Sequence, residues 1–199
     1  MKKEYIISCD GLVKCHSAFF EAHDGFQSEA YEFRKGRNIL NGDIDSGAWA
    51  ISYLLSMYHC RKKDFLLFEQ PKILGESEEI MEEIMEKSCY MDPSFPLFSK
   101  RKSVRKLIEQ GIKKSKSDFT SEGLKELFGL DDQRFERPLS QVGNERYQAM
   151  AAIGVAYGME WFCFPWFSQK LVDYFQIRLK HTIKTLEQMG KVIIFPANI

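Results

Sequence analysis

Two glycines mark the segment of this sequence with the clearest chemical meaning. Gly42 and Gly47 are separated by four residues, which is the spacing of a phosphate-binding loop between a strand and a helix. In such a loop, backbone N–H groups and the helix N-terminus surround phosphate oxygens. On this segment alone, an ordinary strand-to-helix turn is the better explanation of the two glycines. The candidate nucleotide-binding residues are Gly42, Asp43, Asp45, Ser46, Gly47, Ala48 and Trp49.

The side chains that act on phosphate in such loops are missing here. A lysine should follow the second glycine to neutralise phosphate charge, and a serine or threonine should come next to hold magnesium. Ala48 and Trp49 stand at those positions, while Asp43 and Asp45 would repel phosphate. Two interpretations of Trp49 stay open. Its indole either blocks the phosphate position or turns into the core and leaves an open anion cradle.

Other reactive side chains give weaker signals. Asp43, Asp45 and Asp92 could act as acid/base groups if the fold brings them together. The four histidines and five cysteines have no metal-ligand spacing, and no CxxC pair occurs. We therefore expect no metal site, and the scattered, odd number of cysteines indicates a reducing, intracellular compartment.

The elements that must position these residues alternate between strand and helix. Residues 161–164 and 192–195 are apolar on both faces, as is typical of buried parallel strands. Between them, Ser168 can cap a helix that Gly190 ends, and another helical pattern follows Gly47. This order predicts an α/β protein with a parallel sheet.

The middle of the chain differs in composition. Six glutamates fall within residues 76–87, and eight lysines or arginines fall within residues 100–116. Both stretches carry an apolar stripe at helical spacing, which favours amphipathic, solvated helices. For the basic stretch, an anion-binding or membrane-surface patch is the alternative. We predict an α/β core over residues 1–75 and 144–199, with a helical subdomain inserted at residues 76–143.

Composition and charge exclude several classes of function. The 199 residues contain 28 Lys+Arg and 28 Asp+Glu, so the net charge is +0 and there is no global basic field for nucleic acid. The lysines at the N-terminus are not followed by an apolar run, so we expect no signal peptide. The apolar stretches are far shorter than the roughly 20 residues that span a bilayer. The sequence therefore predicts a cytoplasmic protein without a transmembrane segment.

Taken in order, five segments resemble the motifs of the ATP-binding domain of ABC (ATP-binding cassette) transporters. Residues 33–42 resemble the strand that enters the phosphate loop, and residues 88–98 are similar to the Q-loop region. Residues 139–149 resemble the signature segment. Residues 161–165 fall on the Walker B strand, and residues 190–198 on the strand that leads to the switch histidine. The resemblance spans nearly the whole chain and implies a P-loop NTPase-like fold of the ABC type.

Carried over position by position, the resemblance implies that the catalytic groups are lost. Asp92 stands for the Q-loop glutamine and Asn198 for the switch histidine, while residues 164–166 hold neither Walker B carboxylate. Because phosphoryl transfer depends on neutralising charge with Lys and Mg²⁺, we expect no ATP hydrolysis. No cofactor is required, and ATP binding would be weak. The signature-like residues that would contact a dimer partner are Ser140, Gln141, Gly143, Asn144 and Glu145.

The resemblance therefore predicts a degenerate cassette that acts as a non-catalytic partner or regulatory subunit of a transporter-like complex. It would pair as a homodimer, or as a heterodimer with an intact ABC ATPase, and dock on a membrane permease at the inner face of the membrane. Two alternatives remain. The chain could bind ATP or ADP without hydrolysis as a sensor, or be an enzyme that reuses the cleft through Asp43, Asp45 and Asp92.

Overall fold

A computed structural model describes residues 4–16, 21–26, 30–43, 46–93, 98–99 and 101–199. Within these ranges the strands and helices form two sheets and a helical layer. The strands are β1 (Glu4–His16), β2 (Glu21–Phe26), β3 (Tyr31–Arg34), β4 (Gly36–Asn41), β5 (Phe65–Ile73), β6 (Ser88–Tyr90), β7 (Trp161–Cys163), β8 (Phe167–Ser168) and β9 (Val192–Asn198). The helices are α1 (Ala48–Met57), α2 (Glu78–Glu86), α3 (Val104–Ser115), α4 (Ser121–Phe128), α5 (Asp132–Glu136), α6 (Arg146–Ala156) and α7 (Gln169–Gln188).

The predicted parallel sheet is confirmed. Strands β4, β9, β7 and β6 lie side by side in that order, all parallel, and β8 pairs with the end of β9. The strands at 161–163 and 192–194 are completely buried, which is why they read as continuous apolar runs. The carboxyl ends of parallel strands meet at one edge, where open α/β sheets bind their ligands. The turn after β4 lies at this edge.

A second, antiparallel sheet covers the other side of α1. Its central strand β1 pairs with β2 and β3 along one side and with β5 along the other. All ten residues of α1 are buried, because the helix packs against β6, β7 and β9 and against the inner face of the antiparallel sheet. The helix that follows Gly47 is therefore a core element, and its first turn has no solvent-exposed face.

The segment predicted as a helical insertion, residues 76–143, is not uniform. Its first part contains α2, which packs against β5 and α1, and β6, which is a strand of the parallel sheet. Helices α3, α4 and α5 follow and pack around α6, with Leu107, Ile108, Leu124 and Phe128 in the shared core. The three residues of β6 are too short a run to show strand alternation in the sequence. The division into core and insertion stays a prediction.

Helix α7 begins and ends where the sequence indicates. Ser168 is the N-terminal capping position, with extended φ −72° and ψ 158°, although its hydroxyl accepts no capping hydrogen bond. Gly190 follows the helix with φ +69°, the left-handed conformation that favours glycine. Neither α7 nor another helix in the described ranges is long and apolar enough to cross a bilayer.

The crossing of α3 and α6 depends on Gly111. A Cβ at this position would lie 2.9 Å from the backbone carbon of Ala156, so the two helices would have to move apart. We expect Gly111→Ala to lower the free energy of unfolding by about 1–3 kcal/mol through overpacking, although alanine is the better helix former. Urea denaturation measures the change. Lys113→Ala, on the exposed side of the same helix, is the control and should be nearly neutral; equal stability of the two variants would contradict the packing argument.

Candidate functional site

Hydrogen bonds fix the two ends of the turn between β4 and α1. The N–H of Gly42 donates to the carbonyl of Ala197 at 3.0 Å, which keeps the start of the turn on β9. The N–H and the hydroxyl of Ser46 both donate to the carbonyl of Asp43, at 3.0 and 2.6 Å. The predicted site residue Asp45 lies outside the described residues.

Gly47 is required by a close approach. Its φ is +81°, and a Cβ there would lie 2.9 Å from both the carbonyl oxygen of Gly25 and the hydroxyl of Tyr31. The antiparallel sheet therefore presses directly on the N-terminus of α1. Both the conformation and the packing exclude a side chain at this position.

The side chains of Trp166 and Asn198 contact the turn at the carboxyl edge of the parallel sheet. The indole Nε1 of Trp166, just after β7, donates to the carbonyl of Gly42 at 3.0 Å, and its half-buried ring packs on the core beside α1. Asn198, at the end of β9, donates from Nδ2 to a carboxylate oxygen of Asp43. Trp166 lies in the stretch where the resemblance places the Walker B carboxylates. The indole of Trp166 thus contacts the turn from the stretch to which the resemblance assigns a carboxylate.

Trp49 turns into the core, which decides between the two interpretations of this residue. Its side chain is 1% exposed, its Nε1 donates to the hydroxyl of Tyr90 at 2.9 Å, and its ring stacks on Tyr53 at 5.2 Å. The hydroxyl of Tyr53 in turn donates to Asp64 at 2.7 Å. These buried polar tips all have partners, as the low dielectric of a core requires.

The described side chains and backbone groups of this turn do not match those that bind Mg·ATP. Ala48 offers no cation, and the hydroxyl of Ser46 is bonded to the backbone of its own turn. The carbonyl of Gly42 is occupied by Trp166. Within the described ranges, no group of three or more His, Cys, Asp or Glu side chains could hold a metal ion. The described residues of this turn offer no cationic side chain that would neutralise a phosphate.

Two ionisable side chains near the same sheet edge remain protonated at neutral pH. Burial raises the pKa of the Cys163 thiol to about 12, against the opposing hydrogen bonds of Ser56 and Ser88. Burial, followed by the nearby charge of Asp92, raises the pKa of the Tyr147 phenol. Since the thiolate is the reactive form of cysteine, Cys163 is not an activated nucleophile.

The predicted acid/base residues Asp43 and Asp92 have different neighbours. Asp43 is exposed and accepts the hydrogen bond of Asn198. Asp92 follows β6 and is half-buried near Tyr147. Asn198 therefore binds an aspartate of the turn, at the position that the resemblance gives to the switch histidine.

The signature-like residues form two short 3₁₀ turns ahead of α6, Leu139–Gln141 and Gly143–Glu145. The guanidinium groups of Arg134 and Arg146 donate to the carbonyls of Gln141 and Gly143, each at 3.2 Å. Four of the five predicted contact residues are exposed: Ser140, Gln141, Gly143 and Asn144.

Glu145 differs from the other four. Its carboxylate is buried, accepts the N–H of Asp131 at 3.0 Å and lies 3.9 Å from Arg178. This side chain holds the α4–α5 connection onto α6. It faces the interior, so the contact surface predicted for this segment would consist of its four neighbours.

Sequence reasoning missed two residues that shape this site, Trp166 and Tyr90. Both follow or end a buried strand of the parallel sheet at the carboxyl edge. Their position in the chain was readable, but their hydrogen bonds join residues 124 and 41 positions apart. For Trp166, the available signal was an aromatic side chain with an N–H donor in the stretch where the resemblance places the Walker B carboxylates.

The chain is similar to solved ABC transporter structures over its whole length. A protein from Pyrococcus furiosus assigned as an ABC transporter ATP-binding protein has a TM-score of 0.60 at 12% identity, and the match covers 99% of this chain and 92% of that chain. A bacterial ABC transporter cassette solved as a dimer has a TM-score of 0.57 at 10% identity, with 99% and 88% covered. A Clostridium perfringens protein that is part of the CbiONQ transporter complex has a TM-score of 0.56 at 12% identity, with 98% and 78% covered.

These similarities show the fold. The chain has the α/β fold of ABC transporter ATP-binding domains, as the sequence resemblance predicted, with a parallel-rich sheet of the P-loop NTPase type. No protein-family model and no curated protein sequence matches the chain. The likeness at 10–12% identity extends to the fold and leaves function to be argued from the residues.

The bond from Trp166 to Gly42 can be tested by a variant that keeps the ring. Trp166→Phe removes the N–H donor, and we expect it to lower the free energy of unfolding by about 1 kcal/mol. The amides of Gly42 and Ser46 should exchange with deuterium faster, because the turn opens more often. Exchange at Gly36, at the far end of β4, is the internal control. Unchanged exchange at Gly42 and Ser46 would contradict the role of the indole.

The cysteines should differ sharply in reactivity. Cys163 and Cys9, each with a pKa raised to about 12 by burial, carry about 10⁻⁴ of their thiol as thiolate at pH 8. We expect exposed Cys60 to be alkylated by iodoacetamide in the native protein while these two are protected until it unfolds. Mass-spectrometric peptide mapping, with urea-unfolded protein as the reference, measures the sites. Native alkylation of Cys163 at the rate of Cys60 would show that the core opens readily.

Proposed function

We propose that this chain is a pseudo-ATPase, an ABC-type cassette protein that acts as a non-catalytic partner or regulatory subunit of a transporter-like complex. The observation that carries the proposal is the hydrogen bond from Trp166 to the carbonyl of Gly42. It places an indole on the turn at which a phosphate would be bound. Ala48 and Trp49 stand where the lysine and the magnesium-binding hydroxyl would be needed.

The chemistry of phosphoryl transfer supports this proposal. The reaction needs a positioned water, a metal ion across the phosphates and positive charge near the transferred group. Here the turn presents the carboxylate of Asp43. The hydroxyl of Ser46 donates to the carbonyl of Asp43, and the carbonyl of Gly42 accepts a hydrogen bond from Trp166. A negative side chain at this position raises the energy of a bound triphosphate and of its transition state alike. We infer that ATP is neither hydrolysed nor tightly bound.

The surface around residues 140–144 supports action by contact. Ser140, Gln141 and Asn144 are exposed on backbone turns that Arg134 and Arg146 hold in place, so they offer a preorganised surface. We propose that this surface contacts a second cassette, which is either another copy of the chain or an intact ABC ATPase. Such a pair would dock on a membrane permease from the cytoplasmic side.

The proposal predicts no response to nucleotide. With 2 mM Mg·ATP, taken as about 100 times the Kd of an ordinary nucleotide site, binding would add about 2.7 kcal/mol of stability. That would shift the Tm by several degrees. We expect a shift within the error of the measurement and no release of inorganic phosphate above that of a heat-denatured sample. An intact ABC ATPase assayed in parallel is the positive control.

The two possible positive results have separate meanings. A rise in Tm with ATP or ADP but without phosphate release would support a non-hydrolytic sensor instead of a contact protein. Phosphate release that depends on intact protein and on magnesium would refute the pseudo-ATPase proposal altogether. Repeating a positive result with Asp43→Asn would show whether the nucleotide lies at this turn, because removal of the negative charge should strengthen binding there.

A further inference from the structure

Strand β5 is an edge strand among the strands that the structure describes. It pairs with β1 along one side, and none of the other described strands pairs along its opposite side. Two of its outward side chains, Leu66 and Phe68, are 60% and 63% exposed, and Leu66 lies directly opposite Leu12, which is also exposed. An uncovered edge with exposed apolar side chains is a template for one more strand.

The part of β5 that can accept a strand is well defined. Pro71 has no N–H to donate, and the pairing of β5 with β1 shifts register twice, between Ser8 and Asp10 and between Asp10 and Gly11. Phe65 to Leu67 therefore pair with β1 in regular register, and the accepting edge continues to Gln70 through the irregular position of Phe68. Natural proteins blunt an edge with charge, proline or a bulge, and in β5 these devices lie beyond Leu67.

An acidic groove adjoins this end of the strand. It has a volume of about 500 Å³ and lies between β5 and α2, with Glu69, Glu78 and Glu82 along its walls and Met81 and Met85 behind them. Among the described residues, Lys72 lies in the groove wall 3.5 Å from Glu69, Lys62 lies 5.4 Å from the ring of the groove-lining Tyr58, and His59 lies 3.3 Å from Glu82. No ion pair to Glu78 occurs among the described residues. The groove therefore carries net negative charge.

We propose that β5 binds an extended, basic segment of a partner protein by strand addition. Backbone hydrogen bonds to residues 65–70 supply affinity, and alternate apolar side chains of the segment cover Leu66 and Phe68. Lysine or arginine side chains next to them enter the groove beside Glu78 and Glu82. The charge of the groove selects a basic segment and repels an acidic one. This surface goes beyond the proposed pseudo-ATPase role and holds whether or not the turn at Gly42 binds nucleotide.

The same charges argue against a second copy as the occupant. If two β5 edges paired with each other, the two α2 helices would approach along their acidic sides, with Glu78 and Glu82 of one copy near those of the other. Like charges that meet in this way are unfavourable. A partner with the opposite charge satisfies both the backbone edge and the groove.

A short synthetic peptide tests the surface on the intact chain. The probe is a fluorescein-labelled ten-residue peptide of alternating valine and lysine, followed by fluorescence anisotropy at 150 mM salt. Two further probes are the same peptide with glutamate in place of lysine, and a copy N-methylated on the backbone at every second residue. We expect saturable binding of the lysine peptide and about tenfold or weaker binding of the other two. Hydrogen exchange should slow at residues 65–70 when the lysine peptide is bound.

Matched variants separate the groove from general charge. Glu78→Gln with Glu82→Gln removes two charges inside the groove, and Glu79→Gln with Glu86→Gln removes two outside it on the same helix. The first pair should weaken the lysine peptide about fivefold and the second should leave it nearly unchanged, because screening limits the reach of surface charges to about 8 Å at this salt.

Three results would overturn the inference: equal binding of the lysine and glutamate peptides, equal binding of the N-methylated peptide, or protection that falls outside residues 65–70. A concentration-dependent dimer that Phe68→Lys abolishes would assign the edge to a second copy and refute the partner segment. None of these results bears on nucleotide binding, so failure here leaves the pseudo-ATPase proposal standing, and the reverse also holds.

Discussion

The rest of the structure depends on the contacts that the turn between β4 and α1 makes with residues outside the turn. Gly47 fits only because it has no side chain between Gly25 and Tyr31, and Gly42 is fixed by β9 on one side and by Trp166 on the other. The antiparallel sheet therefore contacts this turn at Gly47, and the parallel sheet contacts it at Gly42. A ligand of the Gly42 carbonyl would have to displace the indole.

Helix α1 has apolar side chains at the positions where a phosphate-binding loop carries a lysine and a hydroxyl. In a phosphate-binding protein its first turn would present a lysine and a hydroxyl to solvent and ligand. Here Ala48 and Trp49 are buried, and Trp49, Tyr90 and Tyr53 form a chain of aromatic contacts that ends at Asp64. A lysine at Ala48, which is buried, would have to lose its water shell, which costs several kcal/mol. Residues 48 and 49 can either act on a phosphate or pack in the apolar core, and in this sequence they pack in the core.

The sequence predicted those features that depend on local pattern. The buried strands predicted at 161–164 and 192–195, and the start of α7 after Ser168, follow from apolar runs and a capping residue, and they correspond to β7, to most of β9 and to the observed helix start. Strand β6 escaped notice because three residues carry no periodicity, and the burial of Glu145 did so because its partners Asp131 and Arg178 come from other helices. The Trp166 bond spans most of the chain. Long-range contacts of single side chains are set by the assembled fold, so one sequence read on its own does not specify them.

The turn at Gly42 and the outer side of β5 are separate surfaces, and neither depends on the other. The turn at Gly42 lies at the carboxyl edge of the parallel sheet, whereas the open side of β5 belongs to the antiparallel sheet and faces away from β1. In an ATPase, binding energy at a partner surface is useful because it can be coupled to closure of the nucleotide site. Coupling needs an element with two arrangements, and α1, the helix between the two sheets, is buried along its whole length and hydrogen-bonded to its surroundings through Trp49 and Tyr53. A helix packed in this way favours one arrangement, so a partner bound at β5 would meet a rigid scaffold.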